Sequence, residues 1–378
     1  MDMLLSLKTN MIRTTLGFIV GVTLLYVFIP NDNPVQFEEL ALGDATEPVY
    51  TLVDKKKIHC NDMMDSRECI AAYEEFGREQ SVTLWLGNSQ VHAINQPKSN
   101  DETAATELHR KFQLHDKYFV TYSQPNANLQ EHYILFANSI TNLPVNTLVL
   151  PVVFDDMRED GIRTSISSAL KDPILVQQLS QGELGLKLYK NYLSQSRPGN
   201  DLAGLNDTVQ ERVELVLNEK LIEAWSVWAS RPSFRGEFLN FLYLSRNWIF
   251  GINPSTTRKI IPGRYALNLQ AFSEILDLAA YNRINVLAYI VPLRNDVKHP
   301  YQPEHYEAFK SEVERITFQK GFYFSNFENI VPSEFWGFKS STTLGGGLEL
   351  DFMHFTADGH RLLAESIYER LLELSSEQ

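Results

Sequence analysis

The sequence predicts an α/β domain built on a parallel sheet, and three observations carry that prediction. Five short runs rich in β-branched and aromatic residues are each closed by turn chemistry and followed by a helical stretch. Strand signals stop between Gly161 and about Pro262, where helical patterns replace them. Of the 378 residues, 44% are hydrophobic and 21% charged, which is the balance of a globular chain with a full core and not of a disordered, collagen-like or coiled-coil one.

The elements follow in order. From Thr14 to Ile29 the chain reads TTLGFIVGVTLLYVFI, without a charge, and Pro30 ends the run. Met11 and Ile12 extend it past Arg13 towards the roughly 17–25 residues of a spanning helix, and Arg13 can reach the headgroups. Lys8 and Arg13 before the run predict an inside N-terminus, with everything after Pro30 outside. No small-residue cleavage site follows Phe28, so residues 1–30 read as a retained single-pass anchor. Residues 31–80 read as a polar, acidic juxtamembrane stretch with a helical patch near Ile70–Glu79, and residues 81–378 as the main domain. Its strands are expected at Val82–Leu86, Tyr118–Ser123, Thr147–Phe154, Asn285–Val291 and Phe322–Ser325. Between the third and fourth, residues 161–262 form a helical insertion, with stretches at Thr164–Leu170, Pro173–Leu179, Val209–Trp228 and Gly236–Phe250. The apolar Phe238–Phe250 segment reads as a buried helix or as a surface for a membrane. A final helix is expected over Ala357–Leu374.

Composition excludes several classes of function. Asp plus Glu total 47 against 34 Lys plus Arg, a formal charge of −13, which argues against nucleic acid as a partner. Two cysteines, Cys60 and Cys69, exclude a disulfide scaffold and a four-cysteine zinc site. In an exported domain these two can pair with each other, provided their Cα atoms come within about 7 Å. No histidine pair at ligand spacing suggests a metal, and no cofactor motif is present; the triple glycine in Ser340–Leu348 lacks the lysine and spacing of a phosphate loop and reads as a lid or a plain loop.

Two segments carry chemistry. Gly87-Asn88-Ser89 places a serine directly after the first strand, at the carboxyl edge of a parallel sheet, where such folds build their sites. A serine there can also simply cap the next helix. Far downstream, Asp351-Phe352-Met353-His354 precedes the final helix, read as a loop in which the carboxylate folds back onto the imidazole and leaves the other ring nitrogen free to take a proton, or equally as a plain loop salt bridge. His92 reads as a packed or solvent-exposed residue or as one shaping the pocket rim, His360 reads as structural, and Asp155 with Asp156 lack an opposed carboxylate for glycosidase chemistry.

Together, Gly87-Asn88-Ser89 and Asp351-x-x-His354 resemble the first and last blocks of the SGNH (GDSL-type) hydrolase superfamily, with Asn88 where the family usually has Asp. The resemblance covers about residues 81–160 and 263–378. It implies a flavodoxin-like three-layer α/β/α fold, with Ser89 as nucleophile, His354 as base and acid, and Asp351 orienting it. It places Asn126, in Ser123-Gln124-Pro125-Asn126, where the family has an oxyanion-hole glycine, so the Ser89 and Asn126 backbone N–H groups form the hole. The family's third block ends in Asn-Asp; here it reads Asp155-Asp156, and an ionised Asp cannot replace the donating Asn. Asn128, Asp156, Arg158 and Arg294 are therefore candidates for oxyanion or substrate contacts, and Arg294 can equally form a surface ion pair with Asp296.

Tyr289 to Asp296, Pro300-Tyr301 and Trp336-Gly337 resemble a membrane-anchored subgroup that works in teichoic acid D-alanylation and polysaccharide O-acetylation. That implies a bacterial inner-membrane protein with an extracytoplasmic domain, a membrane-bound O-acyltransferase as partner, and a glycan or lipid-linked glycan as substrate. Two other readings stay open: an inactive domain that binds glycan or scaffolds the acyltransferase, and a lipid esterase at the membrane face.

Overall fold

Side chains alternate along the central strands, and each face of the resulting sheet collects its own helices. In the computed structural model, residues 45–50, 52–61, 63–76, 80–115, 117–195, 257–340 and 347–376 are described. The apolar run Thr14–Ile29, the stretches Val209–Trp228 and Gly236–Phe250, and most of Ser340–Leu348 lie outside them. Among the described residues, no helix is long and apolar enough to cross a membrane.

The chain runs through β1 (Thr46–Pro48), β2 (Leu52–Val53), β3 (Lys56–Lys57), β4 (His59–Cys60), α1 (Met63–Phe76), β5 (Val82–Gly87), α2 (Ser89–His92), β6 (Ala93–Asn95), α3 (Ala104–Gln113), β7 (Tyr118–Ser123), α4 (Leu129–Asn142) and β8 (Val145–Val152). The short helices α5 (Thr164–Ser167) and α6 (Pro173–Leu179) and then α7 (Glu183–Gln195) follow. The second half comprises α8 (Pro262–Tyr281), β9 (Asn285–Ile290), α9 (Pro303–Gln319), β10 (Tyr323–Asn326), β11 (Trp336–Ser340), β12 (Leu348–Phe355) and α10 (Ala357–Ser376).

Six strands form one parallel sheet in the order β10-β9-β8-β5-β7-β4. Without the edge strand β4 this is the 2-1-3-4-5 order of flavodoxin-like sheets, and the connections diverge between β5 and β8. Val82, Leu84 and Leu86 of β5 and Val286, Ala288 and Ile290 of β9 pack into one core with Leu135 of α4 and Ile275 of α8. Trp85, Leu287 and Tyr289, on the opposite face, pack with Leu108 of α3 and Leu363 and Ile367 of α10. This period of two yields three layers, α/β/α.

The five predicted strands form, each within two residues of its expected ends at either side. The boundary at residue 81 is corrected: β1 pairs with β6, β4 joins the sheet beside β7, and α1 packs in the same core as α4. Residues 45–76 are thus part of the domain, and their two- and three-residue strands are too short to show alternation. Cys60 of β4 and Cys69 of α1 form a disulfide with their Cα atoms 6.4 Å apart, tying the edge strand to that helix.

Candidate active site

β5 ends at Gly87, and the chain turns at once into α2. Asn88 caps that turn, its Oδ1 accepting from the Gln90 N–H at 3.1 Å. Gly87 is required here by space, since a Cβ would lie 2.3 Å from Cγ2 of Val91, a short branched side chain in the core. Gly87→Ala must push α2 off the strand end. We expect a loss of about 1–3 kcal/mol in a denaturant titration, together with a loss of activity.

Asp351 and His354 lie on β12 and not in a loop, which corrects the expectation from sequence. β12 pairs with β11, and the hairpin carries both residues to the carboxyl edge of the sheet. Asp351 Oδ1 accepts from the backbone N–H groups of Met353 (2.8 Å) and His354 (3.1 Å). Its Oδ2 lies 2.9 Å from His354 Nδ1, and His354 Nε2 lies 3.0 Å from Ser89 Oγ. The three side chains form one hydrogen-bonded chain.

Its electrostatics are consistent with one proton arrangement. Burial alone would raise the Asp351 carboxyl, but the His354 charge and hydrogen bond outweigh it, with help from Lys339 and the Met353 N–H, and hold it at about 2. A carboxylate at Nδ1 requires the proton there, which leaves Nε2 bare and able to accept from the serine. Gln90, which the sequence did not single out, clamps the two segments together: its Nε2 donates to Pro292 O (2.9 Å) and to Met353 O (2.8 Å).

Asn126 stands at the third position of a four-residue turn, closed by the Ala127 N–H donating to Gln124 O at 3.3 Å. Its φ is +52°, the left-handed region that Asn tolerates better than other non-glycine residues. The Gln124 N–H donates to Gly87 O at 3.0 Å, so this turn is seated beside the serine-bearing one. Ser89 occupies the first position of α2, where an N–H has no acceptor within the helix. No hydrogen bond among the described residues takes the Asn126 N–H, and Asn126 is exposed.

No protein-family model matches the sequence, and no curated protein matches it. Solved structures similar to this chain include a candidate acylhydrolase from Bacteroides fragilis, with 9% identity, 80% of this chain and 94% of that chain covered, and a TM-score of 0.36. Another is a GDSL-like lipase from Bacteroides thetaiotaomicron, with 10% identity, 81% and 99% covered, and a TM-score of 0.34. Likenesses this slight carry no chemistry across to this chain.

The remaining residues singled out from sequence are engaged elsewhere. Asn128 caps α4, its Oδ1 accepting from the Gln130 and Glu131 N–H groups and its Nδ2 donating to Gly161 O, so its side chain is committed to the start of that helix. Arg158 donates to Lys259 O and pairs with Asp155. Arg294 is buried, forked onto Asp296, with its third donor on Gly337 O, where it braces the β11–β12 hairpin. Asp155, where the resembled family has its donating Asn, is bound by Arg258 and by the Tyr301 hydroxyl.

Asp156 accepts from Asn88 Nδ2 at 3.0 Å, bridging β5 and β8 across the switch point. Burial drives its pKa well upwards against the opposing Asn88 hydrogen bond, so the carboxyl stays protonated far above the ordinary Asp range. Asp156→Asn is therefore expected to melt at or above the wild-type temperature at pH 8. Asp156→Ala leaves the buried Asn88 amide unpaired and is expected to cost about 1–3 kcal/mol.

A second polar cluster went unread in the sequence. Ser123 Oγ lies 2.6 Å from His59 Nε2 and 2.8 Å from His92 Nδ1, with Tyr50 stacked on His92. All three polar residues are buried, and they link β4, β7 and α2 behind the nucleophile turn. His360, also buried, accepts from the Ala104 N–H and reaches Ala93 O, which ties α10 to α3 and β6. Among the described residues no group of side chains is arranged to hold a metal.

Proposed function

We propose that the protein is a serine acyl-transfer enzyme or esterase, tethered to the membrane by Thr14–Ile29, whose extracytoplasmic domain acts on acyl esters of a cell-envelope glycan. The observation that carries the reading is the Ser89–His354–Asp351 chain with two backbone N–H groups, Ser89 and Asn126, that have no acceptor among the described residues and lie on adjoining turns.

Ser89 Oγ attacks the acyl carbonyl while His354 Nε2 takes its proton, and the oxyanion is held by the two N–H groups. Collapse expels the first alcohol, which takes the proton from His354, and leaves acyl-Ser89. A glycan hydroxyl, or water, then loses its proton to His354 and attacks the ester, and the second collapse breaks the Oγ–acyl bond as His354 returns that proton to Ser89 Oγ. A membrane tether keeps this site beside a lipid-linked acceptor and beside a membrane-bound O-acyltransferase that could supply acyl groups. No metal or organic cofactor enters these steps.

One observation favours a different reading. Asp155 is held by Arg258 and Tyr301 and cannot donate to an oxyanion, as expected of a weakened site that binds glycan or scaffolds an acyltransferase. Cells carrying Ser89→Ala in place of the wild type decide between the two. Under the enzymatic reading their envelope polysaccharide loses its ester-linked acyl groups; unchanged acylation with Ser89→Ala, but loss on deletion of the gene, supports the scaffold. Altered membrane lipids with intact glycan would point instead to a lipid esterase.

A further inference from the structure

Arg163 touches neither Ser89 nor His354 by any hydrogen bond, yet its guanidinium ends on the Asn126 turn. Nη1 donates to Gln124 Oε1 at 2.8 Å, and Nη2 donates to Pro125 O. Behind it, buried Glu131 accepts from the Arg163 backbone N–H at 2.9 Å and places its other oxygen 3.6 Å from the guanidinium. Gln124 is held on its far side as well, its Nε2 donating to Asn61 O at 2.6 Å.

The consequence follows from peptide geometry. Gln124–Ala127 is a β-turn with Pro125 at its second position and Asn126, at φ +52°, at its third, which is the type II arrangement. Types I and II differ in the direction of the central peptide, here the one joining Pro125 to Asn126. That peptide is planar and trans, so its C=O and N–H point in opposite directions. Whatever fixes the Pro125 carbonyl therefore fixes the Asn126 N–H. Type I is the commoner form and would relieve the left-handed φ of Asn126, so the turn left to itself favours the flip. Arg163 opposes that flip with a charge-assisted hydrogen bond to the carbonyl.

We propose that Arg163 is a positioning residue that holds the Pro125–Asn126 peptide in the orientation presenting the Asn126 N–H to the oxyanion. The proposal rests on the serine-enzyme reading given above. It also gives the buried Glu131 a task, which is to aim the guanidinium. In a site whose Asp155 cannot donate, each of the two backbone donors counts for more.

The test uses the full-length protein in nanodiscs and p-nitrophenyl acetate as the acyl donor. Arg163→Met should lower kcat about 10²-fold with KM changed less than about threefold, because a donor to the oxyanion acts in the transition state. Arg163→Lys, which can still reach a carbonyl, should recover at least about tenfold of that loss and serves alone if Arg163→Met does not fold. Asn126→Ala, which disfavours the positive φ, should produce a similar kcat loss, and the double variant should be little worse than either. Wild-type kcat in Arg163→Met, or additive losses in the double variant, would overturn the positioning role. Failure of the serine reading looks different: the wild type itself would then neither turn over the ester nor react with a fluorophosphonate.

Discussion

Asp351→Asn is expected to lower kcat on p-nitrophenyl acetate by about 10⁴, with little change in KM. The carboxylate of Asp351 accepts three hydrogen bonds, two from backbone N–H groups and one from His354 Nδ1. With an amide in its place, the Nδ2 group turned towards the imidazole would make Nδ1 the acceptor. The proton would then sit on Nε2, facing Ser89 Oγ, and the imidazole could no longer take the serine proton. Because the amide keeps the shape of the carboxylate, the fold should be retained, and a melting curve beside the kinetics shows it. His354→Ala removes the base altogether and should cost at least as much. An Asp351→Asn variant within tenfold of wild type would mean that Asp351 does not set the tautomer of His354.

The second large effect is acid lability. His59 and His132 are fully buried, and burial pushes both down to about 3, with neighbouring positive groups adding to it; His360 is pushed down to about 4, and His92 well below its ordinary range, for the same first reason. In the unfolded chain each titrates near 6.5. Below that pH the unfolded state binds protons that the folded state refuses, so stability falls as pH drops from about 6.5 towards 4. At pH 5 the cost is about 2 kcal/mol per histidine, a large share of a typical 5–15 kcal/mol total. Buried Asp156 and Glu131, whose pKa values are raised, work in the opposite sense and soften the net slope. A substitution isolates one contribution. Urea titrations should show His132→Leu gaining about 2 kcal/mol relative to wild type between pH 7.5 and pH 5.0. An identical pH dependence in the two proteins would refute the assignment of a buried neutral His132.

The sheet was legible because its strands are covered on both faces, so Leu84-Trp85-Leu86 of β5 and Leu148-Val149-Leu150 of β8 read as continuous apolar stretches between turns. Ser89, His354 and Asp351 were legible because each lies in a short local pattern. The strand under Asp351–His354 was not, because β12 is half exposed on one side and carries Glu349, Asp351 and His354, residues that read as a loop. The edge strand β4 escaped for the opposite reason: two residues cannot display a period, and His59 looks polar until Ser123 is found 64 positions away. Arg163, Glu131 and Gln90 act through partners far apart in sequence, and no spacing announces such contacts. Arg294 shows the limit from the other side. Its place after β9 suggested either the pocket or an ion pair with Asp296, and the ion pair forms, with the Gly337 carbonyl taking a third of its five N–H groups.

The most direct measurement is intact-mass analysis of the purified full-length protein after treatment with a serine-reactive fluorophosphonate, beside Ser89→Ala and His354→Ala. The geometry predicts a single adduct on the wild type, mapped to Ser89, with none on Ser89→Ala and little on His354→Ala. A folded wild-type protein that forms no adduct, or one that carries it on another serine, would contradict an activated Ser89 and leave the domain as a binding or scaffolding module.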